Sequence, residues 1–182
     1  MINLDWIILT VQQIVKRYGT RDPFLICTEL GVLVKYIDFT KQKGLYLKFG
    51  RNRYIYIKDD LPLIWKTIIC LHELGHDQLH WKLAGDAKHK DDVIFKLKHP
   101  IELEANYFTA EMKFKDSDIL DLAYEGYTND QIAMKTGTCT DLVSIKVELL
   151  KHKGHGLRSS EFDSNCLKTA EVGYDGTDYM PY

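Results

Sequence analysis

The chain has 182 residues, 45% hydrophobic and 27% charged, with 24 Lys and Arg against 26 Asp and Glu, for a formal net charge of -2. This composition excludes a disordered chain, and the charge balance removes the electrostatic drive toward nucleic acid or anionic lipid. The length suits one compact body with room for a small appended module, and no apolar run approaches bilayer length.

In chain order, Ile7, Val11, Ile14, Val15 and Tyr18 recur at helical spacing up to Gly19, which predicts an amphipathic first helix with a glycine stop. Asp22 and Pro23 then supply a cap and a first helical position, and "FLICTEL" runs to Gly31 as a short second helix. The segments "VLVKYIDF", "LYLKF" and "RYIYI" are β-branched and aromatic, with "TKQKG" and "GRN" between them. They predict a small antiparallel sheet whose last strand is Tyr54 to Ile57.

After Asp60 and Pro62, "LIWKTIICLHELGHDQLHW" reads as one long helix, although Gly75 weakens it. Residues 82–99 are polar and aperiodic and predict a long loop. Pro100 opens "IELEANYFTAEMKF", with Ile101, Ala105, Phe108 and Met112 on one helical face. Beyond Asp116 come three short helices, "SDILDLAYEG", "TNDQIAMKTG" and "TDLVSIKVELLKHKG", and Thr128 with Gln131 has capping-box spacing. The tail after Gly154 has weak periodicity and is not expected to pack by itself. The fold class expected is α+β, mainly helical with a small sheet, followed by a short helical bundle. Residues 1–115 form its first part, 116–154 a helical module packed on it, and 155–182 a tail.

Cys27, Cys70, Cys139 and Cys166 are scattered without a C-x-x-C pair, so reduced thiols are expected. Asp5 stands where a secretory leader carries positive charge, and a cytoplasmic protein is expected.

The chemistry concentrates in "CLHELGHDQLH". Residues four apart on a helix share a face, so His72 and His76 can both aim an imidazole nitrogen at one zinc ion, at roughly 2.0–2.1 Å. Glu73 lies beside His72 but is turned from direct ligation, which suits a general base acting on the attacking water. A catalytic zinc takes three protein ligands, so a third is required. Glu102 fits that need at the start of the next long helix, and "ELEAN" puts Asn106 four residues later. From there Asn106 can hydrogen-bond the far nitrogen of a liganding histidine. Glu104 is the competitor for the third ligand but points elsewhere. His80 continues the i+4 row and is expected beside the site or at the surface rather than on the metal, and Cys70 is expected in the core. The bland alternative is that "HELGH" is the wet face of an ordinary helix.

The pairing of "HELGHDQLH" with "IELEANYFTAE" resembles the ImmA/IrrE family of metallopeptidases, over roughly residues 1–150. The resemblance implies a zincin-like fold, with His72, His76 and Glu102 as zinc ligands, Glu73 as general base and Asn106 hydrogen-bonded to a ligand. It also implies an anti-repressor of a phage or integrative element that cuts a helix-turn-helix repressor in the cytosol. The chain departs from the family pattern at Thr109, where alanine is usual, and lacks the following proline, which touches the wall beside the site.

Two other readings compete. One is a non-catalytic regulator whose residues 126–150 form a DNA-binding helix-turn-helix; Lys146 offers charge there, but Asp141 opposes phosphate. The other keeps the metal but binds the repressor without cutting it. No membrane partner is expected, and direct nucleic-acid contact is disfavoured.

Overall fold

The computed structural model describes residues 2–40, 42–82 and 98–157; the expected loop after Lys82 and the expected tail lie almost wholly outside these residues. Helix α1 (Leu4–Tyr18) starts where the Asn3 side chain accepts from the Trp6 N–H and stops at Gly19 in the left-handed conformation. Helix α2 (Pro23–Leu30) is capped by Asp22 and also ends on a left-handed glycine, Gly31.

Three strands follow, β1 (Val32–Ile37), β2 (Gly44–Phe49) and β3 (Asn52–Lys58), in the spatial order β1-β3-β2. The sheet is mixed rather than antiparallel, because β1 pairs with β3 in parallel, Val32 opposite Arg53, while β2 and β3 form an antiparallel hairpin. Tyr54 to Ile57 is last in sequence but central in space. The reason lies in burial: Ile55 and Ile57 of β3 are fully enclosed, whereas Leu33 and Tyr36 of β1 and Phe49 of β2 stay exposed and suit edges.

Helix α3 (Leu63–His80) runs unbroken through Gly75. A Cβ there would sit 3.2 Å from a Phe108 ring carbon and 3.3 Å from the Ala105 Cα. The glycine therefore weakens the helix slightly but lets the next helix, α4 (Lys98–Lys113), approach closely. Pro100 falls in the first turn of α4, where its missing N–H has no intrahelical partner to lose.

The chain closes with α5 (Asp116–Tyr124), α6 (Asn129–Thr136) and α7 (Thr140–His152). Thr128 and Gln131 complete the expected capping box, and Gly137 ends α6 in the left-handed conformation. Helix α7 packs on α4 and α6, and Leu142 through Val147 are all buried. That burial opposes the DNA-reading alternative, which needs one face of α7 free to enter a groove. Lys146, expected to offer surface charge, is fully enclosed and donates to Glu111 of α4. Cys27 and Cys70 are free and buried, with Sγ atoms 3.9 Å apart.

Candidate metal centre

The close crossing of α3 and α4 brings three side chains to one point. His72 Nε2 lies 3.2 Å from His76 Nε2 and 3.2 Å from Glu102 Oε2, and His76 Nε2 lies 3.5 Å from Glu102 Oε1. Ligand atoms about 2.0–2.1 Å from a tetrahedral ion sit roughly 3.3–3.4 Å from one another, so this triangle has the dimensions of a zinc-type site. Among the described residues, His72, His76 and Glu102 are the group that can hold a metal ion. Two imidazoles and one carboxylate are a donor set that zinc accepts.

The electrostatics fit the same picture. Burial opposes ionisation of Glu102, yet the hydrogen bonds from His72 and His76 outweigh it and hold the carboxyl well below its usual range. Burial likewise works against a charged His72, but Glu102, Glu73 and Asn106 together raise its pKa. A carboxylate set between imidazole nitrogens thus favours positive charge at the centre of the triangle.

Asn106 is buried and its side-chain oxygen has no hydrogen-bond partner; the same holds for His72 Nδ1. The two atoms are chemically complementary, and Asn106 favours a protonated His72 ring.

Glu73 is only 8% exposed and lies against strand β2. Burial pushes its pKa up, partly offset by His72 and His76, and the Tyr46 backbone N–H donates to it. Gly44, the first residue of β2, comes so close that a Cβ would stand 2.6 Å from Glu73 Oε1 and 2.4 Å from Ile69 Cγ2. Strand β2 therefore presses its backbone against this carboxylate.

Around this centre lies a ring of contacts that sequence reasoning did not resolve. His80 Nδ1 is 3.1 Å from His76 Nδ1, and His80 Nε2 is 2.9 Å from Glu104 Oε2. His80 is thus beside the site, and Glu104 points away from the triangle, as expected, but to His80. Arg53 of β3 grips buried Asp77 through a 2.9 Å ion pair and also donates to the Leu30 carbonyl, tying α3, β3 and α2 together. Burial and neighbouring Asp77 push the Tyr46 hydroxyl above its ordinary pKa. The signals were faint: Gly44 looked like a turn residue, and Asp77 was merely the residue after His76. Thr109, the departure in the wall, is buried and donates to the Ala105 carbonyl of its own helix at 2.7 Å. Cys70 sits in the core, as expected.

A family model for M78 peptidases, described as "IrrE N-terminal-like domain", matches residues 27–153. The "Uncharacterized immunity region protein 2" of Bacillus phage phi105 is 30% identical over 137 residues, covering 75% of this chain and 85% of that protein. The matched span contains the whole sheet, both histidines of the triangle and Glu102, and on this evidence the chain belongs to the IrrE-like M78 peptidase family.

Proposed function

We propose that this chain is a zinc-dependent endopeptidase that cleaves a partner protein, a helix-turn-helix repressor of a phage or integrative element. The observation that carries the reading is the triangle of His72, His76 and Glu102 with buried Glu73 beside it. His72, His76 and Glu102 would hold the ion. When bound, zinc supplies a Lewis acid that polarises the scissile carbonyl and acidifies the attacking water.

Glu73 accepts the proton of that water and passes it to the leaving amine. Burial, the largest influence on its carboxyl, raises its proton affinity toward the working pH, which is what a general base requires. Asn106 steadies His72 from the far side of its ring. Strand β2 is an edge strand beside α3, so an extended segment of substrate can pair along it by backbone hydrogen bonds. A repressor as substrate, acting in the cytosol, is supported by family membership and by the phage relative, whose name places it in an immunity region. Residues 116–154 would then serve as a helical module docked on the peptidase part, 1–115, rather than as a DNA reader.

The test is to incubate the zinc-loaded protein with the repressor of its own genetic element and to map fragments by mass spectrometry. Wild type is expected to cut at one bond, and Glu73→Gln to keep its zinc while cutting about 10²–10⁴-fold more slowly. A Glu73→Gln variant that cuts at the wild-type rate removes the mechanism. Uncut repressor in a stable complex with wild type would favour the binding-only reading instead.

A further inference from the structure

Resting on the peptidase reading, we propose that Lys43 and Lys48, at the two ends of β2, select an extended substrate segment with acidic residues on both sides of the position opposite Glu73. Strand β2 lies along one ridge of α3 in which every fourth residue meets the sheet. Ile69 and Glu73 come against Gly44, and Asp77 pairs with Arg53. The same ridge begins at Trp65 and ends at Trp81, each eight residues from Glu73, or about 12 Å along the helix axis. The Lys43 Nζ stands 5.6 Å from the centre of the Trp65 ring, and the Lys48 Nζ 4.9 Å from that of Trp81. Glu73 thus sits midway between two lysine–tryptophan pairs.

Each ring holds an ammonium within cation–π range but supplies no full negative charge, so the N–H donors of both lysines are left for an anion. Among the described residues no carboxylate pairs with either lysine, whereas nearby Lys58 is matched by Asp60 at 2.6 Å. Burial, and then the charge of Lys58, push the Lys43 ammonium below its ordinary pKa, as befits a cation without a counter-charge. Lysines on a free edge also keep the edge strands of two copies apart. That role alone needs no aromatic ring to fix each head group, nor a pair at both ends of the wall that carries Glu73.

The edge is open to a partner, since β3 takes one side of β2 and no described strand takes the other. Lys43 extends the ladder by one residue, its carbonyl accepting from the Lys58 N–H at 2.8 Å. From Lys43 to Lys48 the extended chain covers about 17 Å. A substrate strand paired along β2 covers the same length, so carboxylates two or three residues to either side of the central position reach the two ammonium groups. The chemistry recognised is a segment with Asp or Glu on both flanks.

The test uses the full zinc-loaded chain and three peptide pools, each with a randomised centre flanked on both sides by Asp, by Asn or by Lys. Fluorescence anisotropy reads binding, and mass spectrometry reads cutting. The Asp pool is expected to bind about 3–10-fold more tightly than the Asn pool, the size of two exposed ion pairs, and the Lys pool more weakly than either. Lys43→Glu and Lys48→Glu should each move the preference toward Lys on one flank, and the double variant should favour the Lys pool; zinc uptake checks that each is folded. Such a reversal of preference is beyond a lysine that serves structure alone. Equal binding of the three pools, binding of none, or an Asp preference that survives in the double variant would overturn the proposal. Cutting of all three pools at one rate would overturn it while keeping the peptidase reading. An Asp preference with no pool cut would leave the acid selection standing and overturn the peptidase reading instead.

Discussion

At its C-terminal end α4 sets Glu111 against Lys146 of α7 and Lys153 just past the end of that helix, with Asp116 completing a partly enclosed group of two carboxylates and two ammonium groups. Toward its N-terminal end the same helix sets Glu102 against the imidazoles of His72 and His76. In the first group permanent charges balance, and each carboxylate meets lysine ammonium groups at 2.5–3.0 Å. In the second, a carboxylate and two neutral-capable nitrogens converge and the positive charge is left to a proton or an ion. One helix thus carries a cluster that completes itself and another whose donors point at a common centre. The difference is what separates a structural ion network from a group that could hold a metal ion, since both are half-hidden and rich in acids.

The largest expected effect breaks the self-completed cluster. Replacing Lys146 with Met removes one ammonium from a fully enclosed position and leaves Glu111 and Asp116 with Lys153 alone. Stability in urea should fall by about 3 kcal/mol, the lower end for a broken buried pair because Lys153 remains. The double replacement of Lys146 and Glu111 by Met should recover much of that loss. A single variant as stable as wild type would mean that α7 is held by its apolar face alone. Zinc uptake should be untouched, because the triangle lies on the other part of α4.

The complementary experiment loads the triangle. Zinc at a hundred times its dissociation constant should raise unfolding stability by about 2.7 kcal/mol in wild type. Glu102→Ala should lose this protection, while Lys146→Met should keep it. Equal zinc stabilisation of wild type and Glu102→Ala would place the ion elsewhere and undo the contrast between the two clusters.

How much of this was readable beforehand depended on whether the cause was local. That His72 and His76 share a face followed from helical periodicity within five residues, and Glu102, which the structure brings to them, stood out by its place at the start of the next long helix. The helices and their glycine stops were local as well, and the α+β class held. The sheet order was not, because burial of Ile55 and Ile57 puts β3 between strands that precede it in the chain. Nor was the fate of Lys146: a lysine reads as solvated until a carboxylate thirty-five residues away is known to face it. Gly44 belongs to the same class, since only the assembled structure puts a strand backbone against Glu73.

That glycine supplies a third, smaller test. In Gly44→Ala the new methyl meets Glu73 and Ile69, so the strand or the carboxylate must shift, at a cost of about 1–3 kcal/mol. Because Gly44 touches none of the three triangle residues at that distance, zinc affinity should stay near wild type while repressor cleavage falls. Loss of zinc together with activity would show that β2 supports the triangle itself rather than the carboxylate beside it.

The smallest effect concerns acid. Burial alone would raise the Asp116 pKa, but the hydrogen bonds from Lys146 and Lys153 outweigh it and lower the value from 3.8. The folded value lies below the unfolded one, so the stabilisation is fully present above pH 3.8 and is lost as the pH falls through the folded value. Urea midpoints between about pH 5 and pH 2.5 should therefore drop more steeply in wild type than in Asp116→Asn, which has no proton to take up. Asp116 is partly open to solvent, so the difference is modest. In metal-free protein the depressed Glu102 gives an acid limb of the same sign, whereas in Glu102→Ala the limb that persists is the one Asp116 controls. Combining the two variants removes both contributions: acid sensitivity that survives in the double variant would have to come from other carboxylates.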